Sequence, residues 1–315
     1  MKKLSNTNGK KFNDVIFYIV MSAFPIIHFC VFYIGINGNS ILNMFRQYDQ
    51  YGNYSWSADA AIKKMINVIV NDSVMRYSIV NSITGYLIVT ILGSVITILL
   101  AYYIYKKAVF GGFFKIMLFI PQIVSTMVMV VLYIYLVDTI IPAVVNDVFG
   151  GTMTGLMGNA QNRFPMIIFY CVWVNFGGSI LLYLGAMQNI PDSVVEAAAL
   201  DGAVGFKEFI YITFPSIYPT ITTFVVVGIV GVFTDQFHVY SFYGDYADPQ
   251  IYTMGYYLFS KITKAGQSMV DYPMLSAMGN TLTLIAVPLT LGIKYIMEHF
   301  GPTTEERVHA KKQDT

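Results

Sequence analysis

Six long apolar runs divide this chain, at residues 15–36, 79–105, 116–141, 164–187, 217–242 and 275–297. Each is near the roughly 20 residues that a helix needs to cross a bilayer. Lipid offers no water to bond backbone amides, so uninterrupted runs of this length fold as helices that satisfy their own hydrogen bonds. Composition agrees, because only 12% of residues are charged and 56% are hydrophobic, against about 25% charged in a soluble domain. The fold class that follows is an all-α integral membrane protein with six transmembrane helices.

The first run looks at first like a signal peptide. It is long for a signal core and no small-x-small cleavage site follows it, so it reads as a retained anchor. The organisation expected is an N-terminal tail over 1–14, a first transmembrane anchor over 15–36 and a loop over 37–76. A five-helix core over 77–297, containing a polar loop at 190–216, and a charged tail over 298–315 complete it. A net charge of +1 argues against a nucleic-acid partner, and Cys30 and Cys171 both lie in apolar runs, so no disulfide framework is implied. No G-x-x-x-x-G-K-[ST] occurs, and no His/Cys/Asp/Glu group has metal-ligand spacing. No nucleophile–base arrangement is visible either. The expectation is a chain that is not an enzyme and binds no cofactor or metal.

The polar loop carries the chemistry. Ser193 and Glu196 have the spacing of a capping box, and the alanines that follow favour a helix. Gly202 and Gly205 can end it, and a second helix with Phe206, Phe209 and Ile210 on one face should run until Pro215 stops it. The spacing predicts a helix-turn-helix knob with a crest of small residues.

Glu196-Ala197-Ala198, Gly202, Ile212 and Pro215 stand at the spacing of the EAA loop, with Phe214 in place of the usual Leu. The stretch therefore resembles the permease subunits of binding-protein-dependent ABC importers. Asp201-Gly202-Ala203, Phe209 and the lead-in Leu184–Pro191 are similar to their carbohydrate (maltose/multiple-sugar, type I) branch. Weaker echoes are Asn81-Ser82, Phe119-Ile120-Pro121 and Tyr272–Ala277, while Tyr243–Pro249 stands where that family has Gly-Gly-Pro. The resemblance spans about residues 77–297. It implies a type I importer permease in a bacterial cell membrane, working by alternating access on an oligosaccharide or other sugar. Its implied partners are a homologous second permease, two ATPase subunits that hold ATP and Mg, and an extracellular solute-binding protein. The contacts to the ATPase it implies are Glu196, Ala197, Ala198, Asp201, Gly202, Ala203, Gly205, Phe206, Phe209 and Pro215. Glu196 can equally serve as the capping partner of Ser193.

Lys and Arg near the span ends give only a modest bias, and Arg46, Lys63, Lys64 and Arg76 oppose it. The resemblance decides the orientation, because the loop must meet a cytosolic ATPase: N-in and C-in. Polar groups inside spans are costly unless they face a wet cavity or a partner. By the family's spacing the substrate pathway falls on Val174, Asn175 and Gly178 of the fourth run and on Gly228, Gly231, Val232 and Asp235 of the fifth, with His238 beside them. Structural readings stand next to these. Asn175 can bond a neighbouring helix, Asp235 can pair with a partner's charge, and the glycines suit close packing. Asp138 is expected at the outer membrane surface. Two other functions remain open: a permease for a non-sugar solute, and an ion-coupled carrier, for which Asp235 is the one candidate carboxylate. A scaffold without transport would leave Asn175 and Asp235 unexplained. Glu196→Lys or Gly202→Asp should leave the protein in the membrane but uncouple it. ATPase stimulation by the assembled complex is the check, and unchanged stimulation would count against the assignment.

Overall fold

The structure, a computed structural model, describes residues 7–49, 51–57, 59–265 and 269–302. Of the expected tails, 1–6 and 303–315 lie outside these residues, while 7–14, expected as part of the N-terminal tail, is helical in α1. Along the chain run α1 (Thr7–His28), a π-helical turn (Phe29–Gly35), α2 (Ile36–Asn43), strands β1 (Arg46–Tyr48) and β2 (Tyr54–Trp56), α3 (Ala60–Asn71) and α4 (Ser73–Tyr105). Next come α5 (Gly111–Ile123), α6 (Thr126–Tyr135), α7 (Ile141–Phe149), α8 (Ala160–Gln188), α9 (Asp192–Leu200) and α10 (Phe206–Glu208). The last are α11 (Phe214–Thr234), α12 (Val239–Tyr243), α13 (Met254–Ala265) and α14 (Tyr272–Phe300).

Among the described residues, six helical stretches are long and apolar enough to cross a membrane: Val15–Asn43, Ser73–Tyr105, Thr126–Phe149, Ala160–Gln188, Phe206–Thr234 and Tyr272–Phe300. The number agrees with the apolar runs, but two boundaries differ for identifiable reasons. The run expected at 116–141 is two helices, because Val124 and Ser125 are extended, with ψ of 142° and 134°. Pro121 inside α5 has no amide hydrogen for the preceding turn, and the helix ends shortly after it. The crossing is therefore α6 to α7, while α5 is a separate, shorter apolar helix that begins at Gly111, ahead of the run expected from 116.

The run expected at 217–242 begins earlier and ends earlier. Pro215 does not stop the helix. It sits in the first turn of α11, where a missing amide hydrogen costs least, and a π-helical turn (Phe209–Thr213) joins it to α10. At the far end the helix stops at Thr234. The Asp235 carboxylate accepts the Phe237 amide at 2.7 Å, and Phe237 and His238 have left-handed φ of 47° and 59°. A side chain that bonds nearby backbone gives the chain an alternative to the helix, and here the alternative wins.

The chain divides into two units, Met1–Val68 with Lys261–Thr283, and Ile69–Ser260 with Leu284–Thr315. In the first, the span Val15–Asn43 buries none of its side chains within the chain. The strands pair antiparallel with Tyr48 opposite Tyr54. The Arg46 guanidinium lies 5.0 Å from the Tyr54 ring centre and donates to Asn43 Oδ1 at 3.0 Å. Lys64 Nζ meets Asp271 at 2.6 Å.

In the second unit α4 packs along α8, with α5 and α11 beside them. The helix-loop end is closed by Ile98 and Ala101 of α4, Tyr183 and Met187 of α8, Phe209, and Ile217 and Ile221 of α11, all buried. At the opposite end α4 is braced by polar bonds. Asp72 caps it by accepting the Val74 amide at 2.9 Å, and also accepts the Tyr257 hydroxyl at 3.0 Å. Asn81 donates to the carbonyls of Gln250 and Tyr252, and Ser82 Oγ accepts the Met254 amide at 2.7 Å. Arg163 pairs with Asp248 at 3.4 Å, and Tyr256 donates to the Gly244 carbonyl at 2.6 Å, so the segment that replaces Gly-Gly-Pro is held at several points.

Close approach of α5 and α8 depends on glycine. A Cβ on Gly177 would stand 2.7 Å from the Leu118 carbonyl and 3.1 Å from Phe119 Cα, whereas one on Gly185 would meet nothing within 4 Å. Gly177→Ala should therefore cost about 1–3 kcal/mol of stability, while Gly185→Ala on the same helix should be neutral or gain up to about 1 kcal/mol. Denaturation of the two variants in detergent checks the contrast.

Candidate functional site

The loop between α8 and α11 forms a helix-turn-helix knob. α9 begins at Asp192 with Pro191 as its cap residue and no side-chain capping bond, so the capping box expected from Ser193 and Glu196 is not made. The helix starts two residues too early for that exchange, and Glu196 is left exposed to solvent. The C-terminus follows a glycine-dependent pattern in which the Ala203 amide bonds the Ala198 carbonyl at 2.8 Å and the Gly202 amide bonds the Ala199 carbonyl at 3.1 Å. This closure puts Gly202 at φ +77°, and Gly205 follows at φ +62° with ψ −120°. Ala197, Asp201, Gly202, Gly205 and Phe206 are exposed, Ala203 and Pro215 are half-buried, and Ala198 and Phe209 are buried. The crest is not made of small residues alone. Leu200, Val204 and Phe206 project from it, with Leu200 90% exposed, and they give the knob an apolar tip that the motif does not announce.

The second feature is an open cavity of about 260 Å³ lined by α4, α8 and α11, with Asn175 and Asp235 exposed. Asn175, Gly228, Gly231 and Asp235 all line it. The Asn175 amide donates to the Cys171 carbonyl at 2.8 Å, on its own helix and not on a neighbour. Gly231 leaves open space, since a Cβ there would meet only Asp235 Cβ at 3.9 Å. Gly228 is a close approach instead, with the Tyr86 ring 2.8 Å from a would-be Cβ. The other four residues of the expected pathway are placed elsewhere. The Val174 carbonyl accepts from Gln122 at 3.3 Å, Gly178 lies against the same Gln122 side chain, and Val232 lines a separate, wholly apolar pocket. His238 stacks edge-on against Tyr170 with ring centres 5.4 Å apart. Asp138 accepts the Met157 amide at 2.7 Å and so anchors the loop before α8.

Most of the cavity wall was not anticipated. Tyr86, Thr90, Ser94 and Thr97 of α4 line it together with Ser179 and Tyr183 of α8. The signal was present in the chain, because Tyr86, Thr90, Ser94 and Thr97 recur every three or four residues and so share one helix face. Attention to strongly polar side chains passes over such a stripe of hydroxyls.

The model of one protein family, described as the binding-protein-dependent transport system inner membrane component, matches residues 93–306, more than half of the chain. The chain belongs to this family. Among its relatives, the arabinooligosaccharides transport system permease protein AraP of Bacillus subtilis is 30% identical over 142 residues, 44% of this chain and 45% of that protein. The sn-glycerol-3-phosphate transport system permease protein UgpA of Yersinia pseudotuberculosis is 29% identical over 180 residues, 56% of this chain and 60% of that protein. The matches thus cover less than two-thirds of either relative. Two structures of a bacterial alginate ABC transporter share the fold, at TM-scores of 0.73 and 0.76 and 17% and 18% identity, each covering 93% of this chain and 98% of theirs. The type I importer permease fold and the inner-membrane location expected from the residues are therefore those of the chain.

His238 gives a pH handle on the break beyond α11. Burial pushes its imidazole below the ordinary value, and the carboxylate of Asp235 pulls the other way. The folded protein holds this proton less tightly than the unfolded chain, whose histidine titrates near pH 6.5. Stability is therefore full above about pH 6.5 and falls as the pH drops through it. Thermal unfolding in detergent between about pH 7.5 and 5 should show this loss, and His238→Gln should flatten it.

Proposed function

We propose that the chain is the membrane-spanning permease of an ATP-driven sugar importer that acts with a solute-binding protein, oriented N-in and C-in. The observation that carries this reading is the pairing of two features on the same helices. An exposed knob that keeps the family's EAA spacing joins α8 to α11, and these two helices with α4 line a cavity whose largely apolar wall carries several hydroxyls, an amide and a carboxylate. A separate ATPase, holding ATP and Mg, grips the knob through Glu196, Asp201 and the apolar tip at Leu200, Val204 and Phe206. Closure of the ATPase dimer displaces the knob as a rigid body, and the cavity opens to one side of the membrane and then the other. A homologous permease completes the pathway, and an extracellular binding protein delivers the solute.

The cavity's chemistry supports a neutral oligosaccharide. Hydroxyls of Thr90, Ser94 and Ser179, the amide of Asn175 and the rings of Tyr86, Tyr183 and Phe224 offer hydrogen bonds and flat apolar faces, which suit a polyol. The relatives and the structural neighbour are named for arabinooligosaccharides, sn-glycerol-3-phosphate and alginate. Two of those are anions. Asp235 is the one charged residue among those lining this cavity, and a lone carboxylate disfavours an anionic solute.

The test is uptake, by the complex reconstituted in vesicles, of the sugar captured by its cognate binding protein. Uptake should stop when ATP hydrolysis is blocked and survive collapse of the ion gradients. The reverse result would establish the ion-coupled carrier. In the same assay Asp235→Ala should lower uptake about tenfold, the loss of one hydrogen bond to a charged group, with assembly retained.

A further inference from the structure

The loop knob is chained to α8 and α11, yet its most deeply buried charge belongs to a contact with a different helix. Glu208, the last residue of α10, is only 5% exposed, although its neighbour Lys207 faces solvent. Its Oε2 lies 2.5 Å from Nζ of Lys106, the cap residue just after α4. The ammonium also stands 5.8 Å and 5.6 Å from the ring centres of Tyr102 and Tyr105, close enough to be held by their faces. Tyr102 adds two more contacts, donating its hydroxyl to the Gly205 carbonyl at 2.9 Å and packing its ring 4.9 Å from that of Phe209. Among the described residues the other carboxylate oxygen, Oε1, is buried without a hydrogen-bond partner, so Lys106 is the group that neutralises this side chain.

A buried carboxylate is costly without its counter-ion, and leaving one partner buried alone is far more unfavourable than replacing both by apolar residues. The knob therefore cannot shift while α4 stays in place unless the pair breaks. α4 is also one unbroken helix of 33 residues with neither proline nor π-helical turn, so a displacement of its end reaches the cavity wall along continuous backbone. The cavity wall begins at Thr97, nine residues from Lys106 and about 14 Å along the axis. We propose that the Glu208–Lys106 ion pair clamps the knob to α4, so that displacement of the knob drives the wall formed by Tyr86, Thr90, Ser94 and Thr97. Both are positioning residues, since neither touches the cavity. The proposal deepens the coupling reading above and rests on it.

The experiment follows the accessibility of the α4 wall in the assembled complex. Cys30 and Cys171 are replaced by serine, Ser94→Cys is introduced, and labelling by a water-soluble maleimide is compared with and without ATP and vanadate. Ser94→Cys should change its labelling rate about fivefold or more on trapping, the lower range of typical coupling between sites. Lys106→Met and Glu208→Gln, compared at equal membrane content, should abolish that change, and Lys106→Arg should retain it. An unaltered change in Lys106→Met and Glu208→Gln would overturn the clamp, as would an equal loss in Lys106→Arg, which would point to side-chain shape and not the ion pair. Should Lys106→Met fail to assemble, Glu208→Gln alone decides. Asn175→Cys on α8 separates the two claims. If it responds to trapping and Ser94→Cys does not, the clamp fails while the transport reading stands. If neither responds, the transport reading fails.

Discussion

Every backbone amide of a lipid-embedded chain must find its partner inside the protein, and this constraint organises the fold. It makes the interruptions informative. The spans stop being regular where a residue either removes a donor or supplies a substitute. Pro121 precedes the break at Val124 and Ser125. Asp235 catches the Phe237 amide at the end of α11. The π-helical turn before Pro215 carries the backbone past a missing hydrogen. The carboxylate that ends α11 also lines the cavity, so the break and the candidate site are one feature.

α4 emerges as the helix on which the second unit depends, although no motif marks it. Its start is capped by Asp72 and tied to Tyr257, and Asn81 and Ser82 hold the segment at 250–254. Its middle presents a stripe of hydroxyls to the cavity, and its end meets the loop knob. Water-driven burial adds little to association between helices in lipid, so these polar contacts, together with glycine-permitted close approach, specify the packing. Gly177 against Leu118 and Gly228 against Tyr86 are two places where the helices approach this closely.

The knob shows how a motif and its structure differ. The family spacing of Glu196, Gly202 and Pro215 names the element, and the glycine closure at Gly202 follows from chemistry that a reader of the chain can anticipate. The capping box did not form, because the helix begins at Asp192 and leaves Glu196 free for solvent. The apolar tip of Leu200, Val204 and Phe206 was equally hidden, since an apolar residue in a loop does not reveal which way it points.

By itself the chain determined its class, its six spans and the identity of the loop, because hydropathy over 20 residues and a fixed motif spacing are local quantities. It also singled out Asn175, Gly228, Gly231 and Asp235, which the fold brings to one cavity. Only the tertiary structure separated these from Val174, Gly178, Val232 and His238, which face a neighbouring helix, an apolar pocket or Tyr170. It alone also joined Tyr86 and Thr90 to the site and Glu208 to Lys106. The reason is geometric. Which side of a uniformly apolar helix meets which neighbour depends on the rotation and depth of packing, and those are decided by contacts between residues far apart in the chain.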